Sequence, residues 1–292
     1  MAAFDKGNEP LDEQALADHV ERALNIEPPD GRQFELTYQI VRRVFNPMVV
    51  GDNKIPDTPC LFVGNHSLFA LDGAVLGPVM LRDYGRFLRG LGDKFLFANP
   101  KVANMIMKNG AVMGHPEVCS TLMEHGSDLV VFPGGAHEAV KPISDLYSLQ
   151  WKERYGFVKL AAKHGYTIMP FGMVGPDEFY GHYIEGHEIP DSSLGKVLTR
   201  FGLLTEDTRS DMMPPIPSGL LGGLLPKPQR CYIGFGEPVD LSHFQGKKLS
   251  KGNLRIVRNQ VADEIEEQLS ELLLLREQHK SEDGLLRRLL TF

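Results

Sequence analysis

A histidine and an aspartate follow a short apolar run, and their residue types could carry out acid–base chemistry. The segment GNHSLFALDG places His66 and Asp72 six positions apart, directly after the apolar residues CLFV. Histidine titrates near neutral pH and can accept a proton from an attacking alcohol, while a carboxylate on its second ring nitrogen fixes the tautomer and stabilises the imidazolium. These two residues are therefore a candidate general base and its orienting partner.

The spacing of this pair sets a condition on the local fold. Six residues of uniform helix turn about 600° and leave the two side chains about 120° apart. His66 can meet Asp72 only if it lies in the turn before the helix rather than inside it. Without further signals, a helix cap and a satisfied polar side chain are the commoner explanation for two such residues.

A second candidate site is the glycine pair in DLVVFPGGAHEA, at residues 128–139. Gly134 and Gly135 follow an apolar strand pattern and Pro133, and His137 and Glu138 come directly after them. Adjacent glycines let the backbone approach a ligand closely, and their N–H groups can converge on a developing negative charge. A tight strand-to-helix turn is the alternative explanation for the same residues.

The composition excludes several classes of protein. The 292 residues are 42% apolar and 24% charged, which is typical of a globular chain and not of a disordered, collagenous or coiled-coil one. A formal net charge of −7 argues against a nucleic-acid partner, since electrostatic binding to phosphates needs a basic face. Cys60, Cys119 and Cys231 lie too far apart to suggest disulfides or a zinc site, which indicates a reducing compartment. We expect one domain spanning residues 1–292.

No segment has the pattern of a targeting signal or a membrane span. The N-terminal residues MAAFDKGNEPLDEQ are acidic and polar, and the longest largely apolar stretch, 212–226, contains four prolines and three glycines. We therefore expect a cytoplasmic protein.

Strand and helix patterns alternate along most of the chain, which predicts an α/β fold with a mainly parallel central sheet flanked by helices. Two amphipathic helices precede the sheet, at residues 11–25 and 34–45, and a long amphipathic helix follows it at 254–278. Proline, glycine and leucine dominate residues 190–228, which suggests a long loop that acts as a lid or membrane contact. Strands are predicted at 60–66, 110–114, 128–135, 167–175 and 231–239, and helices at 71–82, 100–108, 115–125 and 151–163.

Four ordered blocks make the chain resemble a known superfamily. NHSLFALD, GAVMGHPE, FPGGAHEA and KERYGFVKLAAKHGYTIMPFGMVGPDEFY are similar to the blocks of the glycerolipid acyltransferases, and within them to the diacylglycerol acyltransferase type 2 and phytyl ester synthase branch. The likeness covers about residues 34–277. It implies transfer of a fatty acyl group from acyl-CoA or acyl carrier protein to a lipid hydroxyl, with no other cofactor, no metal and no covalent enzyme intermediate. It also implies that His66 is the base and Asp72 its orienter, while Asn65 and residues 133–138 line the substrate and oxyanion site.

Departures from the superfamily pattern bear on the acceptor. Phosphate-binding members usually carry a glutamate and an arginine in the third block, where this chain has Gly134 and His137. A guanidinium binds phosphate bidentately and a neutral imidazole does not. We therefore expect diacylglycerol, monoacylglycerol or a long-chain alcohol, with lysophosphatidate as the alternative. A lipid-binding protein and a lipid esterase on the same fold are further alternatives.

Other candidate sites have weaker patterns. His182, Glu185, His187 and Glu188 in GHYIEGHE match no standard helical metal-ligand spacing, so a polar surface loop is expected there. A lipid substrate for a chain without a spanning segment implies reversible contact with a membrane surface. The leucine-rich stretch at 212–226 and the tail at 284–292 could each make that contact or pack against the domain itself.

Overall fold

The computed structural model describes residues 12–200, 213–247 and 249–291, and its centre is a mainly parallel sheet. Seven of the described strands form this sheet in the order β1-β9-β6-β2-β5-β3-β4, with every neighbouring pair parallel except β6 and β9. The other two, β7 and β8, form an antiparallel pair. The strands are β1 Met48–Val50, β2 Cys60–Gly64, β3 Leu88–Gly92, β4 Val112–Met113, β5 Asp128–Val131, β6 Thr167–Val174, β7 Gly181–Ile184, β8 Ile216–Ser218 and β9 Tyr232–Phe235.

Helices cover the sheet, as the alternating sequence pattern predicts. Several of them begin at side chains that cap the first N–H groups; Ser250, for example, accepts from Asn253 N at 3.1 Å at the start of the long C-terminal helix. The helices are α1 Glu13–Leu24, α2 Gly31–Val44, α3 Leu71–Tyr84, α4 Pro100–Met107, α5 Pro116–Glu124, α6 Gly135–Ala139, α7 Gly156–His164, α8 Ser193–Arg200, α9 Lys251–His279 and α10 Leu285–Leu290. The predicted fold class, with N-terminal helices and a long C-terminal helix, is confirmed.

The core lies on both faces of β2 and β6. All five residues of β2 are buried, as a strand with helices on both faces requires. On one face α9 packs directly on β6, because Gly172 has no side chain and a Cβ there would lie 3.1 Å from the Gln268 Cβ. On the other face α3 contributes buried residues such as Leu76 and Val79. This central pair of strands fixes the position of the loop that follows β2.

Three sequence predictions differ from the structure. Helix α7 begins at Gly156 and not at residue 151, because Trp151 is wholly buried in the preceding loop, with its ring edge against Phe157. The segment 181–188, expected as a surface loop, contains β7, whose partner is β8. The stretch 190–228, expected to lack regular structure, contains β8 and α8, while residues 201–212 lie outside the described part. Strands β7 and β8 lie far apart in the chain, so no local sequence pattern indicates that they pair.

Candidate active site

The loop after β2 brings His66 to Asp72 by leaving helical geometry between them. Ser67 is extended, and Phe69 and Ala70 both have positive φ, at 59° and 55°, before α3 begins. Non-glycine residues adopt this conformation at a cost of about 1–2 kcal/mol each. As a result, His66 Nδ1 lies 2.8 Å from Asp72 Oδ2, in the first turn of α3. His66 thus lies in the turn before α3 and not inside the helix, as the six-residue spacing requires.

Backbone groups hold the Asp72 carboxylate in place. Asp72 is almost completely buried, and its two oxygens accept hydrogen bonds from Ser67 N and Gly73 N, each at 2.5 Å. Its own N–H donates to Ser67 Oγ at 3.2 Å. With both oxygens bound, the carboxylate cannot rotate, and the position of the His66 ring is fixed in turn.

The His66 ring lies between a carboxylate and an aromatic ring. It stacks on Phe132 with centroids 4.4 Å apart and planes at 6°, and 13% of its side chain is exposed. Burial lowers the pKa of His66, but the Asp72 and Glu138 carboxylates outweigh burial and leave the pKa above its ordinary value. With Nδ1 bonded to Asp72, Nε2 is the nitrogen left to exchange a proton with a substrate.

A large apolar groove opens beside His66. Its volume is about 2550 Å³, which accommodates a long acyl chain together with a second substrate. One wall is α3, where small residues leave room: a Cβ on Gly77 would meet no atom within 4 Å. The lining residues include His66 itself, together with Phe69, Gly73, Phe132, Pro133 and Gly135.

The glycine turn presents carbonyl groups to an arginine. Gly135 has φ 54°, and its N–H donates to Phe132 O at 2.9 Å. The expectation that the Gly135 N–H is free to meet a developing negative charge is therefore wrong. Arg154 Nη1 donates to the carbonyl oxygens of Pro133 and Gly134, at 2.8 and 3.0 Å, and the arginine also lines the groove. The carbonyl groups of this turn thus hold the Arg154 guanidinium beside the groove, and the sequence pattern did not indicate this arginine.

Glu138 lies behind the histidine and is not among the residues that line the groove. It is fully buried, and its carboxylate accepts from His66 N at 2.6 Å and Gln150 N at 3.0 Å. A side chain at Gly134 would overlap Glu138, which explains the first glycine of the pair. Burial raises the pKa of Glu138 above its ordinary value. Glu138 therefore supports the His66 backbone and is not placed to contact substrate.

Two further predicted site residues lie apart from the groove. The Asn65 side chain donates to Met173 O at 3.0 Å and accepts from Met173 N at 2.8 Å, so both ends of its amide are bonded to β6. His137 is not among the groove-lining residues and instead lines a neighbouring cavity of about 180 Å³, which shares Val140 and Met213 with the groove. The structure therefore joins His66, Asp72 and Glu138 by hydrogen bonds, and His137 lies outside this set.

Sequence reasoning missed several residues of the site. Phe132 directly follows the apolar strand β5 and is indistinguishable in sequence from a core residue. Arg154 and Gln150 lie in the long loop before α7, where no periodicity shows which way a side chain points.

The histidines and glutamates of residues 181–188 do not form a metal site. His182 Nδ1 lies 2.8 Å from Glu185 Oε2, and among the described residues no group of three metal-ligating side chains could hold a metal ion. Across the described helices none is both long and apolar enough to span a bilayer.

Comparison with known proteins agrees with the motif blocks. The chain matches the family model for diacylglycerol acyltransferase over residues 60–280. It is 29% identical to phytyl ester synthase 1, chloroplastic, of Arabidopsis thaliana over 247 residues, which are 79% of this chain and 35% of that protein. It is also 30% identical over 120 residues to the DGAT1/2-independent enzyme synthesizing storage lipids of Gallus gallus, covering 41% of this chain and 36% of that one.

The chain spans only about a third of the length of these relatives. Among solved structures, the 1-acyl-sn-glycerophosphate acyltransferase PlsC of Thermotoga maritima matches with a TM-score of 0.45 and 15% identity, covering 86% of this chain and 88% of that one. The family model covers most of this chain, including the loop after β2 that carries His66 and the helix α3 that carries Asp72. The resemblance indicated by the four blocks is confirmed: the chain belongs to the diacylglycerol acyltransferase family.

Proposed function

We propose that this protein is a lipid O-acyltransferase that moves a fatty acyl group from a thioester to a hydroxyl group of a lipid. The observation that carries the proposal is the His66–Asp72 pair, bonded at 2.8 Å, at the side of an apolar groove of about 2550 Å³. Membership of the diacylglycerol acyltransferase family supports the same reaction.

In the proposed mechanism His66 acts as a general base. Nε2 takes the proton of the acceptor hydroxyl as its oxygen attacks the thioester carbonyl, and Asp72 stabilises the imidazolium that forms. Such a base contributes typically about 10²–10⁴ in rate. Collapse of the tetrahedral intermediate expels the thiolate, which can recover the proton from His66. The Arg154 guanidinium, which lines the groove, is the proposed group that stabilises the negative oxygen, because Gly134 is not in the groove lining and the Gly135 N–H is already donated.

The favoured acceptor is neutral: diacylglycerol, monoacylglycerol or a long-chain alcohol. His137, which stands where phosphate-binding relatives in the superfamily carry arginine, lies outside the groove. One observation favours lysophosphatidate as the second candidate, because Arg154 lines the groove and could bind a phosphate group there. Equal activity on lysophosphatidate and diacylglycerol would contradict the neutral-acceptor proposal.

The proposed donor is acyl-CoA, with acyl carrier protein as the alternative. Exposed cations lie along the α7 edge of the groove at Arg154, Lys159 and Lys163, and none of the three forms an ion pair with a described residue. This edge suits the phosphates of a thioester carrier. The double variant K159E/K163E is expected to raise KM for acyl-CoA about tenfold without changing kcat, since neither lysine is bonded to His66 or Asp72. An unchanged KM would place the donor elsewhere.

Reversible docking on a membrane surface would let lipids enter the groove. Phe69, Phe95 and Met105 line the groove and are also large exposed apolar side chains. Phe69 packs edge-on against Tyr180, whose hydroxyl donates to Leu224 O at 2.9 Å. These two contacts connect the segment of the exposed leucines 221, 224 and 225 to Phe69 in the groove lining, so we favour residues 212–226 over residues 284–292 as the docking segment.

Vesicle flotation can compare the two candidate segments. Serine at residues 221, 224 and 225 is expected to lower binding to phosphatidylcholine vesicles at least tenfold. Serine at residues 285, 286 and 289 of α10 is the matched control and should have a smaller effect. The reverse order would move the contact to α10, and an absence of vesicle binding by the unaltered protein would contradict docking.

The proposed reaction itself is tested with labelled acyl-CoA and a panel of acceptors. H66Q is expected to lose at least 10² in rate while folding normally, and H125Q, at an exposed histidine on the C-terminal end of α5, is the matched control. Transfer by H66Q at the unaltered rate would refute the assignment. Bound acyl lipid without product indicates a lipid-binding protein, and fatty acid release without acceptor dependence indicates an esterase.

A further inference from the structure

Lys141 is a buried cation beside His66 that does not line the groove. Only 3% of its side chain is exposed, and Nζ donates to the backbone oxygen of His66 at 2.5 Å and to Asp177 Oδ1 at 2.9 Å. Lys141 and Asp177 are absent from the lining of the large groove, so neither is placed to contact an acyl chain. The contact through which the lysine can act on the site is therefore its hydrogen bond to His66.

Stability alone does not account for this buried pair. Removing a lysine and a carboxylate from water costs several kcal/mol, and apolar residues of similar volume often replace a buried ion pair without loss of stability. One of the two hydrogen bonds of Lys141 goes to the backbone oxygen of His66, the proposed base. The position of the pair therefore indicates a role in the active site and not in the stability of the core.

A chain of hydrogen bonds fixes Asp177 from the opposite side. Its Oδ2 accepts from Tyr147 N at 2.8 Å, and the Tyr147 hydroxyl donates to Glu178 Oε1 at 2.8 Å. Glu178 in turn pairs with Arg276 of α9. Through this chain the long C-terminal helix and the loop before α7 set the position of Lys141.

The charges that face His66 come from three elements. Asp72 lies in α3, Glu138 in α6, and Lys141 follows α6; Arg154 lies across the glycine turn, on its carbonyl groups. His66 is thus bonded to two carboxylates, Asp72 at the ring and Glu138 at the backbone N–H, and to the Lys141 cation at its backbone oxygen, while Asp177 pairs with that cation. Without the cation, the two carboxylates would favour the imidazolium, which cannot accept a proton from an alcohol.

We propose that Lys141 is a positioning residue that anchors the His66 backbone and, by its charge, keeps the ring able to accept a proton at neutral pH. This inference rests on the proposed function of His66 as the base. Burial lowers the pKa of His66, Asp72 and Glu138 raise it, and Lys141 lowers it, which agrees with the role assigned from the contacts.

The test compares pH profiles of kcat/KM for K141M, K141R and the unaltered protein. Loss of the cation should raise the pKa of His66, so the acidic limb of the K141M profile should move to higher pH by about half a unit to one unit. K141R keeps the charge and should restore the limb. K54M, at an ion-paired lysine outside the groove lining, is the matched control and should leave the profile unchanged. An acidic limb that does not move in K141M overturns the proposal.

A second measurement keeps the test decisive if K141M folds poorly or the enzyme is inactive. The double variant K141M/D177N removes both buried charges and leaves no unpaired carboxylate. NMR titration of labelled histidine, assigned with H66Q, should show an upward shift of the His66 pKa in this variant. The shift should be smaller than in K141M, because loss of the paired Asp177 carboxylate acts in the opposite direction. If no acceptor is turned over but the shift appears, the proposed function fails and the role of Lys141 stands. If transfer occurs and the His66 pKa is unshifted, Lys141 has no such role.

Discussion

Replacing Asp72 with asparagine keeps the shape of the side chain but leaves a conflict between hydrogen-bond donors. The carboxylate accepts from His66 Nδ1 at 2.8 Å and from Ser67 N and Gly73 N at 2.5 Å each. An asparagine has one oxygen, so its NH₂ must face a backbone N–H in either orientation. If the NH₂ takes the position of Oδ2, it also forces His66 to accept at Nδ1 and to carry its proton on Nε2.

Both consequences can be given magnitudes. A buried N–H without an acceptor costs about 1–3 kcal/mol, which lowers Tm by roughly 2–6 °C for a chain of this size. A histidine in the wrong tautomer cannot take the acceptor proton, and loss of an orienting carboxylate of this kind lowers kcat by up to about 10⁴. We therefore expect D72N to lose about 10²–10⁴ in kcat while remaining folded.

The assay is acyl transfer from labelled acyl-CoA across a pH series, with thermal unfolding measured on the same preparation. Because Asp72 raises the pKa of His66, its loss should also move the acidic limb of the residual activity to lower pH. D83N, at an exposed aspartate in α3, controls for the charge change on that helix. Activity of D72N within threefold of the unaltered protein would refute the general-base reasoning.

Three other predictions follow from the site and its surroundings. G77F should lower kcat/KM for palmitoyl-CoA about tenfold relative to hexanoyl-CoA, because displacing about two methylene groups from the groove costs roughly 1.6 kcal/mol; equal loss with both donors would place the acyl chain elsewhere. G64A should lower the free energy of unfolding by about 1–3 kcal/mol in a denaturant titration, because a Cβ there would overlap the Phe171 ring; an unchanged midpoint would contradict this packing. Because the pKa of His66 is raised on folding, the stability that its protonation provides is fully present below pH 6.5 and is lost as pH rises through the folded pKa. H66Q should therefore be destabilised most at acidic pH in a series of unfolding titrations, and a pH-independent difference would contradict the raised pKa.

The predictable parts of the fold are those encoded over short segments. Strand β2 has a continuous apolar run and α9 has an apolar stripe at helical spacing, so both are predicted close to their observed positions. The alternation of such segments also predicts the mainly parallel sheet. Strand β1 escapes prediction because its three residues form a strand through pairing with β9 and not through any local pattern.

The candidate site is predictable in its residue types and less so in its contacts. The motif blocks indicate His66, Asp72 and the glycine pair, but two left-handed residues decide whether His66 reaches Asp72. Local sequence also does not show that the Gly135 N–H is already donated or that His137 faces another cavity. The Lys141–Asp177 contact joins residues 36 positions apart, and a contact at that separation leaves no periodic signal.

The place of β9 in the sheet has a consequence for the order in which the chain can be built. Its register pairs Met48 with Tyr232, and β6 pairs with this strand on its other side. During synthesis, β1 cannot pair with β9 until residues 232–235 have left the ribosome. Until then the edge of β6 that pairs with β9 is open, and α9 does not yet cover this strand. An unpaired edge of this kind invites pairing with other chains. Nascent chains that end before residue 232 thus expose this edge of β6, and the emergence of β9 and then of α9 covers it.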